Sequence, residues 1–256
     1  MPRCDEPFDF RRQAATYACF RPDYTAALYD AIAARTGPGA GRAALDLGCG
    51  PGIVGAALAR RGWRVVGADF SAPMLAEARR AGVGEGWVRA RAEALPLRAG
   101  AVALVACGTA FHWFAPVPTL AEIARVLAPG GWAAVFWQFN APGDPSMAML
   151  GAVLTDLGIA VPEVLLAPPA PLPPFDGSAL AAEPPLLFAA EHAFTADALV
   201  GWVGTLEWVR RVAGPRHAEV LEALRSTLAA RHPGGLVQRT HQHLFLARLP
   251  GPRATP

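Results

Sequence analysis

One stretch of nine residues, Ala44-Leu45-Asp46-Leu47-Gly48-Cys49-Gly50-Pro51-Gly52, constrains this chain more than any other. An apolar run ends in closely spaced glycines, and a helical segment from Ile53 to Arg61 follows at once, with Gly62 placed to end it. A strand that turns through glycines into a helix lets a ligand approach the backbone without Cβ interference. It is also expected to point free N–H groups at that ligand. The next apolar run, Arg64 to Ala68, stops at Asp69. In open α/β sheets an acid at that point accepts hydrogen bonds from ribose hydroxyls. Turn and acid together specify an adenosine-bearing ligand.

The same alternation continues along the first half of the chain. Residues 23–35 have helical spacing, Ser71 can cap a helix through Met74 and Ala78, and Gly82 sits where that helix should stop. A short strand is expected at Trp87–Ala90 and a continuous apolar one at Ala101–Ala106, as in a parallel sheet covered on both faces. Thr119–Leu127 reads as a helix, Pro129-Gly130-Gly131 as a turn, and Trp132–Trp137 as a strand. This order predicts an α/β fold: a doubly wound, mostly parallel, seven-stranded sheet with a C-terminal cap or flap insertion. Eight prolines within residues 162–185 exclude a continuous helix or central strand there, so that stretch is expected to form the flap. A helix is expected at 146–158, a strand at Leu186–Phe194, helices at 196–211 and 215–231, and a last strand at His241–Leu249.

Composition narrows the function classes. All 23 basic residues are arginine, but they are scattered among acids and the net charge is only +2, so no nucleic-acid footprint is expected. No apolar run is long enough to span a bilayer, and the first ten residues lack a secretory signal, so a cytoplasmic location is expected. The four cysteines form no CxxC pair, and His241 and His243 have no acid or cysteine nearby in sequence, so no metal is expected.

Gly50-Pro51-Gly52-Ile53-Val54-Gly55 also satisfies the dinucleotide pattern GxGxxG. Two details favour a different adenosine ligand, S-adenosylmethionine (SAM). Asp46 lies just before the glycines, where a carboxylate repels a pyrophosphate but suits an ammonium and a sulfonium, and the glycines begin already at Gly48. At this point the sequence resembles a family: ALDLGCGPG resembles motif I of class I SAM-dependent methyltransferases, and VVGADFSAPML the acidic-loop motif that follows it. AEALPL, AFHWF and RVLAPGGW resemble the later motifs in the expected order. The early segment YACFRPDY narrows the resemblance to the small-molecule branch similar to trans-aconitate and natural-product methyltransferases.

That resemblance, which covers roughly residues 8–140, implies roles for matching positions. Asp46 and the backbone of Gly48, Gly50 and Gly52 would hold the methionine end of SAM, and Asp69 the ribose. Phe70 and Met74 would pack near the adenine, whose edge Ala92 and Glu93 would contact. Tyr17 and Arg21 would close over the cofactor, with Arg21 a partner for the methionine carboxylate. Where the family usually carries acids, this chain has Ala103 and Arg91.

On the acceptor side, Phe111-His112-Trp113-Phe114 follows the fourth strand, with His112 as candidate base or acceptor-orienting group and Trp113 a substrate contact. Trp202, Thr205 and Trp208, three residues apart, would line an acceptor pocket. No Asn/Asp-Pro-Pro-Tyr/Phe run follows the fourth strand, which favours oxygen or carbon acceptors over ring nitrogen. The expectation is a single domain over 1–256, with a SAM-binding core at 8–140 and an acceptor-side cap at 141–240, acting as monomer or homodimer on a small molecule. An NAD(P)-dependent oxidoreductase and a non-catalytic SAM-fold partner protein are the alternatives.

Overall fold

The computed structural model describes residues 10–82, 84–162 and 174–251. Residues 163–173 of the proline-rich flap lie outside them, as does the end of the tail. The described residues divide into two compact units.

The larger unit comprises, of the described residues, 23–82, 84–138, 174–188 and 242–251. Helix α2 (Ala26–Thr36) leads into β1 (Ala43–Leu47), and α3 (Ile53–Ala59) into β2 (Arg64–Asp69). Helix α4 (Ala72–Arg80) leads into β3 (Gly86–Arg89), and β4 (Val102–Gly108) into a 3-10 turn at Phe111–Trp113 and α5 (Pro116–Val126). The caps expected from sequence are in place. Ser71 accepts from the Met74 amide, and Thr25 from that of Leu28.

Strands β1 to β4, together with β5 (Leu127–Asn140), pair in parallel in the order β3-β2-β1-β4-β5. The direction of winding reverses between β1 and β4, and the crevice outside the carboxyl ends of strands at such a point is where ligands bind. One side of the sheet is sealed by Leu28 and Ile32 of α2 and by Val54, Ala57 and Leu58 of α3. They pack with Ala44, Val65, Leu104, Ala106, Ala134 and Phe136. Leu104 and Ala106 of β4, and Ala134 and Phe136 of the strand beside it, reach this cluster at alternate positions, as pleating requires.

The sheet departs from expectation in its count. Beyond β5 the order continues through β8 (Leu236–Arg248) to β6 (Ala181–Ala182), with β7 (Leu186–Phe194) pairing β8, which makes eight strands among the described residues where seven were expected. The extra strand, β6, has two residues and pairs antiparallel with Arg248 and Ala247, too short to show alternation in sequence. Nor does Pro129-Gly130-Gly131 separate two elements. Strand β5 runs through it, with a register shift: Val102 faces Leu127, while Leu104 faces Trp132.

The smaller unit comprises, of the described residues, 10–22, 139–162 and 189–241. It contains α1 (Phe10–Phe20), α6 (Pro145–Asp156), α7 (Ala196–Gly204), α8 (Glu207–Ala213) and α9 (His217–Arg231). Its core is built from Leu150, Leu154, Leu199, Val203, Val209, Leu224 and Leu228. The single helix expected over 196–211 is two helices. Thr205 turns its hydroxyl back to the Trp202 carbonyl, and Leu206 is extended, so the chain leaves helical geometry between α7 and α8.

Candidate functional site

The tips of β1 and β2 are adjacent because the two strands pair in parallel, Leu47 opposite Ala68. The first three amides of the glycine turn are bound to this neighbour. The amides of Gly48 and Cys49 donate to the Ala68 carbonyl at 2.8 and 3.1 Å, and that of Gly50 donates to Oδ2 of Asp69 at 2.8 Å. The Gly52 amide donates to the Cys49 carbonyl at 2.9 Å, and residue 51 is proline. The expected row of free N–H groups is therefore absent from the turn itself. A pyrophosphate would find no donors there, and would meet two carboxylates.

The glycines also differ among themselves. All three have left-handed backbone, with φ of 67°, 52° and 87° at Gly48, Gly50 and Gly52. A Cβ on Gly48 would lie 2.6 Å from Ala110 Cβ, and one on Gly52 would lie 2.7 Å from the Trp87 ring. Only at Gly50 is there nothing within 4 Å, so only there does the turn open onto space. Trp87, read from sequence merely as part of a short strand, fills the room that glycines leave at 52, 67 and 84.

Asp46 sits on β1 at 1% exposure. Its Oδ2 accepts from the Gly55 amide at 2.7 Å, while its Oδ1 is buried without a hydrogen-bond partner. Burial raises its pKa to about 7, against the lowering effect of the Gly55 bond. A buried carboxylate oxygen without a donor calls for a cation or a hydrogen-bond donor to complete it. Asp69 is likewise raised by burial, with the amides of Ser71 and Gly50 opposing. Its Oδ1 accepts from Ser71 N at 2.7 Å, yet each carboxylate oxygen has a second lone pair for a hydroxyl.

Phe70, next in sequence, is 61% exposed, with the guanidinium groups of Arg89 and Arg91 at 5.5 and 5.8 Å from its ring centre. Met74 and Ala92 are buried. Glu93 is committed within the protein: it accepts from the Ala115 amide at 3.0 Å and pairs with Arg91 at 3.4 Å. Burial alone would raise its carboxyl, but these donors hold it below the usual range. Glu93 thus ties the segment after β3 to the one after the 3-10 turn.

That turn carries His112 and Trp113, both exposed, with their rings 4.9 Å apart. The Trp137 indole N–H donates to Nδ1 of His112 at 3.2 Å. Just before it, Thr109 has φ of 49°, unusual for a non-glycine, and its hydroxyl lies 2.6 Å from that of Tyr24. Neither Trp137 nor the Tyr24–Thr109 pair was singled out by sequence. An aromatic at the end of the strand after the histidine's was the available signal for the first. Cys49 and Cys107 are buried, and burial pushes both thiols well above their ordinary range, so neither is a ready nucleophile.

The remaining sequence candidates belong to the smaller unit. Arg21 stacks on the Tyr17 ring at 4.8 Å and donates from Nη2 to the Thr205 carbonyl at 3.4 Å, while its Nε is buried without a partner. Trp202 and Thr205, at 3% and 1% exposure, occupy core positions rather than those of a pocket wall, and Trp208 packs against the same core. Among the described residues no three His, Cys, Asp or Glu side chains come together as a metal site. No described helix is long and apolar enough to cross a membrane.

Comparisons with known proteins agree with this geometry. Residues 45–135 match the family model described as a methyltransferase domain. An uncharacterised methyltransferase of Mycobacterium tuberculosis is 34% identical over 136 residues, which cover 53% of this chain and 54% of that protein. The malonyl-[acyl-carrier protein] O-methyltransferase of Enterobacter lignolyticus is 40% identical over 88 residues, 34% of this chain and 35% of the relative. The chain thus matches about half the length, or less, of these curated relatives. A solved structure from Anaeromyxobacter dehalogenans, assigned as a type II methyltransferase, superposes with a TM-score of 0.62. It is 26% identical and covers 91% of this chain and 99% of that one. Motif, sheet order and relatives converge on residues 45–135, the part of this chain that is similar to the methyltransferase domain.

Proposed function

We propose that the chain transfers the methyl group of SAM to a small-molecule acceptor, oxygen or carbon in preference to ring nitrogen. The observation that carries the reading is the paired tip of β1 and β2. Asp46 keeps one buried oxygen unpartnered there, Asp69 has lone pairs to spare, and the turn opens only at Gly50. Asp46 would receive the ammonium of the methionine end, Asp69 the ribose hydroxyls, and Phe70 and Ala92 the adenine. Bound there, SAM supplies an electrophilic methyl group on a sulfonium. The protein's share is to hold the donor in line and to exclude water from a displacement that needs little else. Residues 8–140 would supply this cofactor core and residues 141–240 the acceptor side, within one functional chain.

An oxidoreductase reading fails on the donors. The turn has no amide left for a pyrophosphate, and its carboxylates have the wrong sign. Calorimetric titration with SAM, S-adenosylhomocysteine and NAD tests the proposal. Heats of binding are expected with the first two only, and flat traces with both would overturn it. Asp69→Ala is expected to weaken SAM binding by about 1.5–3 kcal/mol, the range for a hydrogen bond to a charged group. An unchanged affinity would mean the ribose lies elsewhere.

A further inference from the structure

We infer that Asp46 takes up its cationic ligand in exchange for a proton. Below neutral pH its buried carboxyl is the neutral acid in the free protein, and it yields that proton to solvent when an ammonium group arrives. The protonation of free Asp46 stands on the geometry alone, whereas the identity of the arriving cation rests on the methyltransferase reading above.

A carboxylate taken out of water needs donors or a counter-charge for both oxygens, or it keeps its proton. Asp46 is buried with one donor, the Gly55 amide at 2.7 Å from Oδ2, and Oδ1 has no hydrogen-bond partner. Helix α3, which delivers that amide, carries no titratable side chain. Asp69 at the end of β2 and Asp23 ahead of α2 are acids, and both oppose a further negative charge. Asp23 is itself bound by the Tyr29 hydroxyl at 2.7 Å and by Arg60 at 3.2 Å. Cys49 of the turn, Cys107 of β4 and Tyr29 of α2 feel the charge of Asp46, and burial keeps all three neutral. Arg79 of α4, whose charge acts on Cys49, donates to the Trp87 carbonyl at 3.3 Å. Burial therefore outweighs the Gly55 bond and raises the Asp46 carboxyl to about 7.

An ammonium reverses that balance. Its N–H groups can donate to Oδ1, and its charge favours the ionised form. The acid O–H bond then breaks, the proton passes to solvent, and the carboxylate stays paired with the ammonium. One cation has replaced one proton, so the site gains no net charge that the low-dielectric interior must bear. Binding tightens as pH rises through the value of free Asp46, because fewer molecules then hold a proton that must be expelled. Asp69 answers differently. It already accepts the amides of Gly50 and Ser71, and a ribose hydroxyl is neutral and demands no proton in return. An adenosine compound without the amino-acid end therefore separates the two acids.

Carbon-13 spectra of aspartate-labelled, ligand-free protein, assigned with Asp46→Asn, read the free carboxyl directly. It is expected to titrate near pH 7, and a signal that stays ionised down to pH 5 would overturn the inference. Calorimetric titration with SAM in buffers of different ionisation enthalpy counts the protons and needs no variant. About 0.9 proton should be released per SAM bound at pH 6 and about half a proton at pH 7, with binding about fivefold tighter at the higher pH. 5′-Methylthioadenosine, which lacks the ammonium, should bind without release. Asp46→Asn, which keeps the volume but cannot ionise, should bind SAM without release and with an affinity flat over that range. SAM heats that ignore the buffer, or equal release with methylthioadenosine, would overturn the exchange and leave SAM binding standing. Flat traces with SAM at every pH would instead overturn the cofactor reading, while the titration of the free carboxyl would stand.

Discussion

The two tips of the larger unit are built on opposite plans. At β1 and β2 the backbone is saturated: turn amides are bonded, one carboxylate is buried and a second half-buried, and an indole occupies the room beside the glycines. At β4 the candidate side chains His112 and Trp113 stand exposed on a 3-10 turn, with Trp137 bonded to His112 and Glu93 to the Ala115 amide that follows. A cofactor common to a family can be met by a rigid, pre-bonded surface. An acceptor peculiar to one protein is met by side chains on a short loop, which can change without disturbing the sheet.

The largest expected effect would test the saturated tip through its charge. Asp46 titrates near 7 when folded, against an ordinary value of 3.8. A carboxyl raised in the folded state binds its proton more tightly there than when unfolded. The ligand-free protein should therefore lose stability as pH rises from about 4 to about 7, and level off above that. The loss should reach at most about 4 kcal/mol, at 1.36 kcal/mol per unit. Urea unfolding across that range should show the slope, and Asp46→Asn should reduce it, leaving the part contributed by Asp69, which burial also raises. A slope undiminished by the substitution would assign the titration to another group.

The second test strains the same tip by volume. Gly52→Ala forces an alanine into left-handed backbone and against Trp87, and should cost about 2–4 kcal/mol in the same unfolding assay. A cost below about 0.5 kcal/mol would mean the indole yields easily. The smallest effect lies where this tip is open. Phe70→Ala, at an exposed ring, should leave stability within about 0.5 kcal/mol. It should weaken SAM binding by about 0.5–1 kcal/mol through lost stacking, as calorimetry would show. A fall in stability instead would mark Phe70 as structural.

Much of this was legible in the sequence, for physical reasons that can be named. The strands and helices between residues 26 and 126 announced themselves through continuous apolar runs, glycine stops and the Ser71 cap, and Asp69 fell where the β2 tip required it, whereas α1 was not expected from sequence. Pro129-Gly130-Gly131 misled because a bulge within a strand and a turn between elements use the same residues. The break after Gly204 was hidden because the apolar pattern of α7 continues into α8, and only the Thr205 bond to its own helix ends the first. In the site, the identity of the acids was readable but their wiring was not. No pattern announces that Asp69 captures the Gly50 amide, or that an indole 25 residues beyond His112 holds its Nδ1.

Trp87 carries one last implication. A Cβ on Gly67, where the backbone is ordinary, would lie 2.3 Å from that indole. The demand for glycine at 67 is therefore imposed by a neighbouring ring and not by the nucleoside. Large and small residues here are mutually conditional. Shrinking the tryptophan should permit an alanine at 67, so the two positions should drift as a pair, and their joint exchange could proceed with the cofactor contacts untouched.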